Sequence, residues 1–102
     1  MTRLVVTSDA DSDFVDIFAY LQQNAGERTA VDYSRRFDVT LRRLVRFPRS
    51  GSPRPALGAI TRAARVSPYI MIYDYDPKDD AIMLLRILHE RRNITGELVP
   101  RG

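Results

Sequence analysis

Between Tyr69 and His89 the chain carries two β-forming runs separated by a strong turn, and this pair limits the fold more than any other stretch. Tyr69-Ile70-Met71-Ile72-Tyr73-Asp74-Tyr75 is rich in aromatic and β-branched residues. Asp76-Pro77-Lys78-Asp79-Asp80 is turn-forming, and Ala81 to His89 (Ala-Ile-Met-Leu-Leu-Arg-Ile-Leu-His) resumes the apolar pattern. Side chains alternate along a strand, so Tyr69, Met71 and Tyr73 point one way while Ile70 and Ile72 point the other. Both faces of this hairpin are therefore apolar, and both need cover.

The preceding residues supply helices for one face. Arg3 to Thr7 reads as a first strand. Ser8-Asp9-Ala10-Asp11 has the S-x-x-D form of a capping box, and aspartates at 9, 11, 13 and 16 suit a helix N-terminus. Ala10, Phe14, Ile17, Phe18 and Leu21 recur at helical spacing until Asn24-Ala25-Gly26 stops the helix. A second helix is expected over Glu27 to Phe47, with Ala30, Tyr33, Phe37, Leu41, Leu44 and Val45 as its apolar stripe and Pro48 as its stop. The short link makes the two an antiparallel hairpin. Residues 48–61 form a Pro/Gly/Ser-rich loop, and Arg62-Ala63-Ala64-Arg65-Val66 is a further strand ended by Ser67-Pro68. The order is β-α-α-β-β-β, an α+β domain with a helical hairpin packed on a small, mostly antiparallel sheet. Two helices cover one face of such a sheet. The other is covered by the loop at 48–61 or by a partner, and the partner reading is preferred.

The length, 102 residues, fits one domain, assigned to 1–97. Leu98-Val99-Pro100-Arg101-Gly102 resembles a protease-site scar and is given no function. No cysteine and a single histidine argue against a thiolate or histidine metal centre, and neither a metal nor a cofactor is expected. No apolar run approaches the ~20 residues that span a bilayer, and the start lacks the order of a signal peptide, so a cytoplasmic location is expected. The net charge is +3, and fifteen of the sixteen basic residues are arginine. The whole excess falls in residues 48–102, which suggests an acidic partner, protein or nucleic acid. Arg35, Arg36, Arg42, Arg43 and Arg46 on the second helix are the weakest part of that signal, because a charged outer face is normal.

Five pieces in sequence order resemble the ParE/RelE toxin superfamily. They are a strand leading to the Asp-x-x-x-Ile-x-x-Tyr run Asp13 to Tyr20; Leu44-Val45-Arg46-Phe47-Pro48-Arg49-Ser50-Gly51; Arg62 and Arg65; Tyr69-Ile70-Met71-Ile72-Tyr73; and Ile87-Leu88-His89-Glu90-Arg91-Arg92-Asn93. The resemblance implies the toxin of a type II toxin–antitoxin system. ParE-type members inhibit DNA gyrase, and RelE-type members cut messenger RNA in the ribosome. Both are silenced by an antitoxin whose C-terminal segment wraps the toxin and which often represses its own operon, so operator DNA is expected to bind through the antitoxin.

Cutting RNA needs a base, an acid and a cation for the phosphate. Arg65, Arg86 and His89 are the candidates for a ribonuclease, but they fill two of those roles. RelE-type members add a lysine cluster or a late tyrosine. This chain has one lysine, Lys78, and no tyrosine or phenylalanine after Tyr75, which favours the gyrase-inhibiting, non-enzymatic reading with a ParD-like antitoxin. A basic nucleic-acid-binding module without toxicity is a third reading, although Gly51 and Gly58 do not form a phosphate loop. Arg86, His89, Arg91 and Arg92 are the target-binding candidates. Val15, Val31, Val39, Arg62, Arg65 and Arg86 are the antitoxin-binding candidates. Arg86 alternates with Leu84 and Leu88 and either anchors an internal acid or faces a partner. As a lone strand-end histidine, His89 reads first as a structural residue.

Overall fold

A computed structural model describes residues 2–99. The elements are β1 (Arg3–Val6), α1 (Ser8–Ala25), α2 (Glu27–Arg46), β2 (Ser52–Pro53), β3 (Thr61–Val66), β4 (Tyr69–Asp76) and β5 (Ala81–His89), followed by a 3-10 turn at Gly96–Leu98. The sheet order is β1-β5-β4-β3-β2. β1 runs parallel to β5, with Arg3 opposite Ala81 and Val6 opposite Leu84, and every other pairing is antiparallel. The expected architecture is borne out, with β2 as an added edge.

Local chemistry sets the helix ends. Thr7, not Ser8, is the N-cap of α1. Its hydroxyl accepts from the Ala10 N–H at 3.2 Å and donates to the Leu84 carbonyl at 2.8 Å, so the cap also ties α1 to β5. Gly26 alone separates α1 from α2, at φ +92°, where an L side chain is strained. Gly51 answers a different need. The Tyr73 hydroxyl donates to the Pro48 carbonyl at 2.7 Å and accepts from the Gly51 N–H at 3.0 Å, which closes the loop after α2 over a fully buried ring. Burial raises the pKa of that phenol, so it stays protonated and able to donate.

The main core lies between the helices and the sheet. Ala10, Phe37 and Leu44 meet Met71, Tyr73, Ile82, Leu84 and Ile87, with Phe14, Ile17, Tyr33 and Leu41 packed at its border. Phe14 and Phe37 meet edge to face at 5.5 Å. The opposite face holds a smaller cluster of Ala63, Ile72, Leu85 and Val99, joined by Leu57, Ile70, Ile94 and Leu98. The preference for a partner over this face is therefore corrected. The chain covers it with one loop residue and with residues 94–99, because that polar-looking stretch carries three apolar side chains. Leu98 and Val99 thus pack with the domain, while Pro100 to Gly102 lie outside the described residues. No described helix is long and apolar enough to cross a membrane.

Candidate interaction surface

A bulge reorganises the most charged part of β5. Tyr73 pairs with Leu84, but Ile72 pairs with Arg86, so Leu85 is the extra residue. Leu84 and Ile87 both reach the helical core, whereas Leu85 lies in the second cluster. Arg86 is thus out of step with Leu84, which corrects the simple alternation. Its Nε and Nη2 donate to the two Asp13 carboxylate oxygens at 2.8 and 3.0 Å, and Nη1 donates to the Leu98 carbonyl at 2.8 Å. Asp13 Oδ2 also accepts the Ile87 N–H at 2.8 Å. The two side chains are 19% and 13% exposed. The Asp13 hydrogen bond raises the pKa of Arg86 beyond its already high value. Of the two alternatives for Arg86, the internal anchor is the one seen, and its guanidinium is engaged.

Beside this anchor runs an open groove of about 550 Å³ between α1, Tyr33 of α2 and the end of β5. Asp16 and Tyr20 border it from α1, and His89 and Arg92 border it from the other side. Asp13, Asp16, Ile17 and Tyr20 share one side of α1 because they recur at steps of three and four. That spacing was the available signal for Asp16 and Tyr20, which sequence reasoning left out of the candidates. The His89 ring meets Tyr69 edge to face at 5.8 Å, and its Nδ1 accepts the Arg91 N–H at 3.1 Å. Burial, then the neighbouring Tyr33 and Tyr20, raise the Tyr69 pKa. Arg91 and Arg92 are exposed.

Arg65 does not join them. It pairs with Ile70 in the sheet register, so it lies on the opposite face from Tyr69 and His89, and its guanidinium is bound to Glu90. The structure therefore separates Arg65 from Arg86 and His89, which line one groove, and the two arginines are held by different carboxylates. Arg62 donates to the Arg49 and Gly51 carbonyls at 2.9 and 2.7 Å, securing the same loop as Tyr73. Val15, Val31 and Val39 are exposed, as expected off the apolar stripes. They do not share one patch. Val15 borders an apolar groove between the helices with Phe14, Phe18 and Phe37, whereas Val39 lies beside Arg35 and Arg36. Among the described residues no group of three or more His, Asp or Glu is placed to hold a metal ion.

This helical hairpin on a mixed sheet is also the fold of chains in solved toxin–antitoxin systems. A chain of the chromosomal ParDE system from P. aeruginosa superposes with TM-score 0.71 at 20% identity, covering 87% of this chain and 96% of that one. A chain of the toxin–antitoxin complex RelBE2 from Mycobacterium tuberculosis does so with TM-score 0.61 at 22% identity, covering 86% and 96%. In sequence, Toxin ParE3 of Caulobacter vibrioides is 30% identical over 98 residues, 96% of each chain. The family model for the ParE toxin of the type II toxin–antitoxin system parDE matches residues 4–94. The chain belongs to the ParE toxin family and is the toxin of a type II toxin–antitoxin system.

Proposed function

We propose that this toxin acts in the cytoplasm by binding DNA gyrase, without cutting RNA, and that a ParD-like antitoxin with an acidic C-terminal segment holds it silent. The observation that carries this reading is that both candidate arginines, Arg65 and Arg86, are already paired with carboxylates. Arg86 lines the same groove as His89 but is engaged by Asp13, and Arg65 lies on the other face bound to Glu90, so neither arginine is left to hold a phosphate beside the histidine. The likeness to a RelBE2 complex, at 22% identity, concerns the fold alone.

On this reading His89, Arg91 and Arg92 face the target, and Arg86 positions the strand that carries them. The apolar groove beside Val15 takes an anchor of the antitoxin, with Val31, Val39, Arg62 and Arg65 as outlying contacts. Operator DNA is held through the antitoxin. The test adds the purified toxin to gyrase and to translating ribosomes. Supercoiling is expected to fall while transcripts stay intact. Replacing Arg91 and Arg92 with alanine should relieve growth arrest and leave antitoxin affinity unchanged. Cleaved ribosome-bound transcripts with normal supercoiling would replace this reading with the RelE-like one.

A further inference from the structure

The arginines of α2 have a pattern beyond a generic solvated face. At ~100° per residue, Arg28, Arg35, Arg42 and Arg46 fall within an arc of about 40°, and Arg36 and Arg43 flank them on one side. All six are exposed. The row faces away from Ala30, Phe37 and Leu44, the buried stripe of the same helix. It extends over roughly 27 Å of straight helix at 1.5 Å per residue. One of its members, Arg42, is ion-paired on the surface, with Asp38 at 3.0 Å, and among the described residues no ion pair is seen for the other five. Asp32 is the acid that falls between the four and their flanking pair, so positive charge dominates the whole length of the row.

We infer that this outer face of α2 docks on the phosphate backbone of duplex DNA, so that the toxin makes its own DNA contacts and does not rely wholly on an antitoxin for them. The argument is charge complementarity and shape. Duplex DNA presents one negative charge per ~1.7 Å of axis, and a straight row of guanidinium forks matches such a linear array. An acidic peptide is a poorer occupant. Val31 and Val39 border the four-arginine arc as isolated exposed valines, one on each side. A peptide laid along the row therefore finds no continuous apolar strip to bury, and the antitoxin contacts proposed at those two residues stay at its margins. Unpaired bases are also poorly served, because the arc holds no aromatic ring; Phe47, past its end, is half exposed but has the Arg46 guanidinium 5.5 Å from its ring centroid. The arc offers no hydroxyl or amide side chain for a 2′-hydroxyl, which favours DNA over RNA.

The test measures binding of the full chain to a mixed-sequence DNA duplex of roughly 30 base pairs by fluorescence anisotropy, across salt. Four neutralised phosphates predict a log–log slope near −3.6, so affinity should fall about 150-fold between about 50 and 200 mM salt. The variant R28A/R35A/R42A/R46A should flatten that slope almost to zero. The variant R3E/R54E, which lowers net charge equally from positions elsewhere, should keep more than half of it. Circular dichroism checks that α2 is intact. If the quadruple variant does not fold, R35A/R42A should reduce the slope by about two. The inference is overturned if the row variants keep the wild-type slope, or if duplex RNA binds as tightly as DNA. It is equally overturned if DNA does not bind and the row variants instead lose antitoxin affinity.

Discussion

Removing Asp13 should unfold this domain more readily than removing any exposed charge. Asp13→Ala deletes two bonds from Arg86, at 2.8 and 3.0 Å, and one from the Ile87 N–H at 2.8 Å. It leaves a guanidinium that is 19% exposed with the Leu98 carbonyl as its remaining partner. Breaking one side of a fully buried pair costs about 3–5 kcal/mol; this one is partly buried beside an open groove, so the loss should fall at the low end, against a total of roughly 5–15 kcal/mol for a domain of ordinary stability. At the low end this lowers Tm by about 15 °C. Urea unfolding followed by circular dichroism reads the loss as a shifted midpoint at constant slope. Arg86→Ala should cost less, because Asp13 keeps the Ile87 N–H and gains water. The double variant should fall well short of the summed losses, with a coupling of about 2 kcal/mol. A methionine at 86 opposite a leucine at 13 should recover part of the stability. A loss below about 1 kcal/mol for Asp13→Ala, or a coupling near zero, would refute the anchor.

Two further outcomes follow from the loop closures. Gly51→Ala should cost about 1–3 kcal/mol in urea unfolding, since a Cβ there overlaps the Tyr73 hydroxyl and lies 2.7 Å from its Cε1 and 2.9 Å from the Ala63 carbonyl; a change within about 0.5 kcal/mol would show that the loop yields freely. Asp80 accepts from the Thr2 hydroxyl at 2.8 Å and from the Tyr75 hydroxyl at 3.0 Å, and these bonds, Thr2 first, hold its carboxyl below the ordinary range. A lowered folded pKa contributes stability above the unfolded value that disappears as pH falls through the folded one. Wild type should therefore lose more stability than Asp80→Asn on going from about pH 5 to pH 2, and parallel curves would count against the bonds.

The helices and the three long strands were legible because each carries its own period or turn. Thr7 as cap was not, since Ser8 offers the same chemistry one residue later and the choice is made by the distant Leu84 carbonyl. β2 was hidden by Pro53, which lacks the N–H of an interior strand and is tolerated at an edge. The β5 bulge has no signature in Leu84-Leu85, two identical residues that end on opposite faces. That one displaced residue decided the fate of Arg86. His89, Arg91 and Arg92 could be placed near one end of the sheet, but the groove could not, because it needs α1 and β5 in register. The cover of the second face was missed because Ile94, Leu98 and Val99 are scattered among polar residues without a period.

Parallel pairing of the first strand with β5 has a consequence for how the protein is made. Residues 3–6 find their ladder partners at 81–84, the Thr7 hydroxyl reaches a carbonyl 77 positions away, and Asp13 waits 73 positions for its guanidinium. A ribosome delivers the helical hairpin long before it delivers β5, so the growing chain carries an apolar stripe with no sheet to receive it. Closure is a late, long-range event, slow by the same measure that makes distant pairings slow in general. His89, Arg91 and Arg92 emerge at that same moment. A chain interrupted anywhere before β5 lacks both the strand that completes the domain and the charged end proposed to meet the target.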